Sequence, residues 1–93
     1  MNNQTIGTFI QNFYVKNGKF SIFLEQRAVE LWSEVVGDFI AKQTTKITTK
    51  QSIIYATIPN AALRFEVMGR RSQIMENINK KLGSDVIKGI IVR

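Results

Sequence analysis

Three carboxylates, Glu30, Glu34 and Asp38, recur every four residues, a spacing that would line them along one side of a helix. Such a ridge could hold a divalent cation or move protons. Gly37 stands just before the third of them, and glycine readily closes a helix, so the ridge reads as a solvated face. The chain has no cysteine and no histidine. Thiolate chemistry, cysteine-bound zinc, the usual general base and the commonest metal ligand are therefore excluded. Serines stand at 21, 33, 52, 72 and 84 with no histidine to activate them, and neither GxxxxGK(S/T) nor GxGxxG occurs. The sequence reads as a non-enzyme: no catalytic residue, no cofactor, no metal site and no small-molecule substrate are expected.

The cations are more informative. Residues 1–40 carry three Lys/Arg against four Asp/Glu, whereas residues 41–93 carry ten against three. A near-neutral first half followed by a basic second half suggests a polyanionic partner, or else simple solubility. Arg64 and Arg71 have no acid three or four residues away and Lys81 has only Asp85, beyond the expected helix end at Gly83, while Arg70 and Lys80 have Glu66 and Glu76 in the favourable order. Unpaired guanidinium groups suit phosphate oxygens, to which they offer a bidentate fork. Alternatively, their aliphatic stems cover the core edge while the heads reach water. Lys46 and Lys50 share one face of an alternating run and could complete a groove. Tyr55 would stack a base if its ring is exposed, or else fill core. Met68 and Met75 either meet a protein or fill gaps in packing.

The elements that must position these side chains follow from periodicity. Ile6, Phe9, Ile10, Phe13 and Tyr14 predict a helix from Thr5 to about Lys16, stopped at Asn17-Gly18. Ser21 can cap a second helix running to about Val36, with Phe23, Leu24, Ala28, Leu31, Trp32 and Val35 as its apolar face. Gly37 ends it in a left-handed conformation, and Asp38 can cap a short further turn. From Thr44 the period changes to two. TTKITTK and SIIYATI read as two strands joined by a short link at Lys50-Gln51-Ser52, a hairpin. Asn60 can cap a long helix from Ala61 to Leu82, ended by Gly83, with Leu63, Val67, Ile74 and Ile78 as its core stripe. Val86 to Val92 is a last strand, apolar on both faces and so expected centrally or covered twice.

The fold class is therefore α+β, a small three-stranded sheet with helices packed on it, in the order α-α-β-β-α-β apart from the short turn. Ninety-three residues suit one domain, 1–93, with a core at about 21–93 and the N-terminal helix at about 5–16. No stretch approaches the ~20 apolar residues that span a bilayer, and MNNQTIGTFIQNF lacks the pattern of a signal peptide. A cytoplasmic protein with no membrane partner is expected.

The passage LWSEVVGDFIAKQT, Leu31 to Thr44, resembles the tryptophan-acid-aliphatic-glycine passage of the DciA-like family of small bacterial proteins. The likeness continues through Ala62-Leu63-Arg64, the spaced Ile74, Ile78-Asn79 and Leu82-Gly83, and the closing IKGIIVR, covering about residues 24–93. The resemblance implies a KH-like domain, a role with the replicative DNA helicase at initiation, and affinity for single-stranded DNA. It marks Trp32, Val36 and Gly37 as scaffold and Arg64 as a nucleic-acid contact. Lys46, Lys50, Arg71 and Lys81 join Arg64 as candidate nucleic-acid-binding residues on charge and geometry. No GXXG loop is present, so clamping of the KH type is not expected.

The resulting expectation is a non-catalytic nucleic-acid-binding module, favouring single-stranded DNA and resembling a helicase-loading factor. The alternative is an adaptor that docks the helicase or another protein through Glu30 and Glu34 or through Met68 and Met75, its positive charge serving only to steer approach.

Overall fold

A computed structural model describes residues 20–93; the helix expected at 5–16 lies outside the described residues. Helix α1, Phe20–Val36, buries Leu24, Ala28, Leu31 and Trp32, which recur at the i, i+4, i+7, i+8 spacing of one helical face. Phe23, expected on that face, is 52% exposed instead, beside an exposed Ile22. The backbone turns at Gly37, whose φ is +93 and ψ 162. That is positive φ as expected but with extended ψ, a region essentially reserved for glycine. Gly37 itself caps the short helix α2, Asp38–Gln43, and Asp38, expected as the cap, is already helical; no side-chain cap forms there.

Strand β1, Lys46–Lys50, and strand β2, Ile53–Thr57, form the expected hairpin, with Lys46 opposite Thr57 and Lys50 opposite Ile53. Its two-residue turn, Gln51-Ser52, has both φ values positive (52 and 68), as mirror-image hairpin turns require. Neither residue is glycine. Three contacts hold the turn in place: Ser52 N–H and Oγ reach Glu25 Oε2 of α1 at 2.8 and 3.5 Å, and Ser52 carbonyl accepts from Lys88 N–H at 2.7 Å.

The single long helix expected from Ala61 to Leu82 is two: α3, Ala61–Gly69, and α4, Arg71–Leu82. Gly69 is a poor helix former, and Arg70 at φ −110, ψ 12 leaves the helical region between them. Asn60 caps α3 as expected, its Oδ1 accepting from Leu63 N–H at 2.9 Å, and Gly83 at φ +78 closes α4. The core stripe survives the break, with Val67, Ile74 and Ile78 buried and Leu63 packed against them.

Strand β3, Gly89–Val92, is shorter than expected and pairs parallel with β2, so the sheet order is β1-β2-β3 and β2 is central. The expectation that the last strand sits centrally or is covered twice is corrected: β3 is at the edge, and its outward Ile91 is 43% exposed. Ile87, just before the strand, is buried without ladder bonds because Asn79 of α4 serves both of its backbone groups. Asn79 Nδ2 donates to Ile87 carbonyl and Asn79 Oδ1 accepts from Ile87 N–H, each at 2.9 Å.

The result is α+β, as expected, in the order α-α-β-β-α-α-β. The strand residues in the core are Ile54, Ala56, Ile90 and Val92, all on one pleat, joined by Ala28, Trp32, Ile40, Val67, Ile74 and Ile78 from the four helices. All four helices therefore lie on that face of the sheet. Among the described residues, no helix covers the other.

Candidate nucleic-acid interface

The uncovered face can be laid out from register alone, because paired residues point the same way. One row across the strands is Lys50, Ile53 and Gly89; the next is Thr48, Tyr55 and Ile91. The third is Lys46, Thr57 and Arg93. Parallel pairing runs on past β3, since Arg93 N–H donates to Ala56 carbonyl at 2.8 Å and Ile58 N–H donates to Arg93 carbonyl at 3.0 Å. Lys46, Thr48 and Lys50 are exposed, Tyr55 is half-buried, and the Arg93 guanidinium lies 4.8 Å from the centre of the Tyr55 ring. That places a flat cation against an aromatic face. Ile53 leans over Gly89, where a Cβ would meet its Cδ1 at 3.3 Å. Apolar Ile53, Tyr55 and Ile91 thus form a strip with cations around it.

No Asp or Glu side chain interrupts this face. Residues 42–65 and 86–93 contain neither Asp nor Glu. Among the described residues, Lys46, Lys50 and Arg93 take part in no ion pair.

The five candidate residues are not all together. Lys46 and Lys50 stand on the open face as expected, at opposite ends of β1. Arg64 sits at the end of the sheet that carries the third row, where its Nη1 donates to the carbonyls of Ile58 and Pro59 at 2.7 and 3.2 Å. It is half-buried, and its stem and fork are partly structural. Arg71 lies at the far end of α3, with its Nη1 on Met68 carbonyl at 2.8 Å. Lys81 is on the helical side of the molecule and is not unpaired. Its Nζ reaches Glu34 Oε1 of α1 at 2.9 Å, and this lysine holds the Glu34 carboxyl below its ordinary range through that hydrogen bond and its charge. A partner 47 residues away in the chain could not be found by counting i±3 and i±4 positions.

The acidic ridge is likewise resolved by partners. Glu30 pairs with Arg27 at 3.1 Å and Glu34 with Lys81, while Gly37 moves Asp38 onto α2. Glu66 meets Arg70 at 3.9 Å as expected, but Glu76 and Lys80 form no ion pair. Among the described residues, no group of acids is placed to hold a metal ion. A cleft of about 510 Å³ at the end of α4 is lined by Glu76, Lys80 and Asp85, of mixed charge, and lies away from the open sheet face. The residue that sequence reasoning missed is Arg93. The alternation of Ile91-Val92-Arg93 carried the signal, since Arg93 must share the face of Ile91.

The fold and this face define a small α+β domain with one helical side and one open, basic sheet side. The chain belongs to the DciA family, described as "Dna[CI] antecedent, DciA", whose model matches residues 4–92. It is thereby placed with replication proteins of the helicase-loading class. Comparison with curated proteins and with solved structures gives no match. No described helix is long and apolar enough to cross a membrane.

Proposed function

We propose that this protein is a non-catalytic module of helicase loading that holds single-stranded DNA on its open sheet face. One observation carries the reading: Lys46, Lys50 and Arg93 surround Tyr55 on a face with no Asp or Glu side chain. Phosphate oxygens would meet the ammonium groups at both ends of β1 and the arginines at the Thr57–Pro59 end, with Arg71 extending the path along α3. Lys81 has no part in it, being neutralised by Glu34.

Binding of this kind releases counterions, so affinity falls as salt rises. Four or five phosphate contacts give a slope of roughly −3 in log affinity against log salt on a single strand. Fluorescence anisotropy of labelled oligothymidylate across a salt series is expected to return that slope. Lys46→Ala with Lys50→Ala should flatten it by roughly 0.7 per lysine. An affinity indifferent to salt would remove the proposal.

A second reading is favoured by a different surface. Phe65 is 76% exposed and Met68 41% exposed on neighbouring positions of α3, an apolar knob that suits a protein pocket. In that reading the domain is an adaptor that docks the replicative helicase, and its cations steer the approach. Helicase capture by a protein that binds no oligonucleotide at any salt would select the adaptor.

A further inference from the structure

We infer that Tyr55, Ile91 and Arg93 form a seat for one unpaired nucleobase. The inference rests on reading the open sheet face as a nucleic-acid surface, and it names what that surface recognises. Phosphate binding alone would need only the cations. The middle row of the face holds something else: Tyr55, half-buried and so fixed at its base, beside Ile91, which is 43% exposed.

The Arg93 guanidinium lies over the Tyr55 ring, 4.8 Å from its centre, so the flat surface this pair turns outward is the guanidinium plane, backed by the ring. Arg93 is the diagonal neighbour of Tyr55, two positions past the residue paired with it, which is within reach of long side chains across a sheet. Together the ring, the guanidinium plane and the apolar strip of Ile91 and Ile53 match a flat heterocycle. The lysines on β1 stand about 13 Å apart along the strand, one at each end, where a chain crossing the seat would carry its phosphates.

The chemistry selects the ligand. An acidic peptide would use the same cations but need carry no flat ring, whereas every nucleotide brings one beside its phosphate. A duplex buries its base faces between neighbours, so only an unpaired strand can present one. Every base has a π-face, so the seat is indifferent to sequence. No Asp or Glu side chain on these strands repels the flanking phosphates.

The test separates base from phosphate. Oligothymidylate and an abasic oligomer of equal length carry the same phosphates, and only the first has bases. At low salt the wild-type protein is expected to bind oligothymidylate about tenfold more tightly than the abasic oligomer, the order of one stacking contact. Tyr55→Ala should abolish that preference while keeping the abasic affinity, and Tyr55→Phe should retain it. Circular dichroism of the variants confirms that the fold is unchanged, and Tyr55→Phe keeps the question answerable should the alanine variant unfold. Equal wild-type affinity for the two oligomers would overturn the seat while leaving phosphate binding on this face intact. A preference that survives in Tyr55→Ala places any base contact elsewhere and overturns it too. Binding of neither oligomer would end both this inference and the proposed function.

Discussion

Single side chains do two jobs here, and chain distance hides which. Trp32 is buried, and its Nε1 donates to Thr44 Oγ1 at 3.1 Å, while that hydroxyl donates to Ile40 carbonyl at 2.8 Å. The indole N–H is thus satisfied where an unpaired one would be costly. The threonine that opens the basic run is in this way the last piece of the helical scaffold. Arg64 and Lys81 looked alike in the sequence, each without an acid three or four residues away within its own helix. In the structure Arg64 ties two backbone carbonyls at the end of β2, and Lys81 makes an exposed pair with Glu34. Arg64→Ala should therefore cost on the order of 1–2 kcal/mol, chiefly as the lost hydrogen bond from a charged donor to the part-buried Ile58 carbonyl. In thermal denaturation that is a drop of several degrees for a domain of this size. Lys81→Met should leave both the melting temperature and oligothymidylate affinity nearly unchanged, because exposed pairs contribute little. An unshifted melt for Arg64→Ala would contradict its structural role. Because Lys81 lowers the folded-state pKa of Glu34, whatever the pair adds is present above the ordinary carboxylate value and lost as pH falls through the lowered one.

Elements were legible where a local rule sufficed. Asn60 and Gly83 bound their helices by capping chemistry, and KITTK alternates as a half-exposed strand must. The helix break at Gly69-Arg70 was not legible, because Val67, Ile74 and Ile78 keep helical spacing across it. The edge position of β3 was hidden for a different reason: Ile91 looked like a second buried face but belongs to the apolar strip with Ile53 and Tyr55. The hairpin turn shows local preference overridden by tertiary contact. Gln51 and Ser52 both sit at positive φ, and such conformations cost non-glycine residues about 1 kcal/mol or more each. Glu25 and Lys88 compensate from outside the turn. Replacing Gln51-Ser52 by Asn-Gly, the preferred pair for such turns, should raise stability by about 1 kcal/mol in urea denaturation. A loss of stability would mean that the Ser52 hydroxyl contact with Glu25 outweighs the backbone strain.

On the scale of the molecule, the two sides of the sheet are chemically distinct. The helical side holds the core, and Glu25, Glu30 and Glu34 of α1 each have a partner there. The open side holds Lys46, Lys50 and Arg93 without a counter-charge among the described residues. The charge asymmetry between the two halves of the sequence foreshadowed this, since the strands lie in the basic half. It could not say that Lys81 would fall on the far side, because that depends on how α4 packs against α1. The most direct test of the account is a set of backbone amide NMR spectra recorded as oligothymidylate is added. The largest shifts are expected at Lys46, Thr48, Lys50, Tyr55, Ile91 and Arg93, with Glu34 and Lys81 unmoved. Shifts confined to the helical side, with the open strands silent, would contradict it.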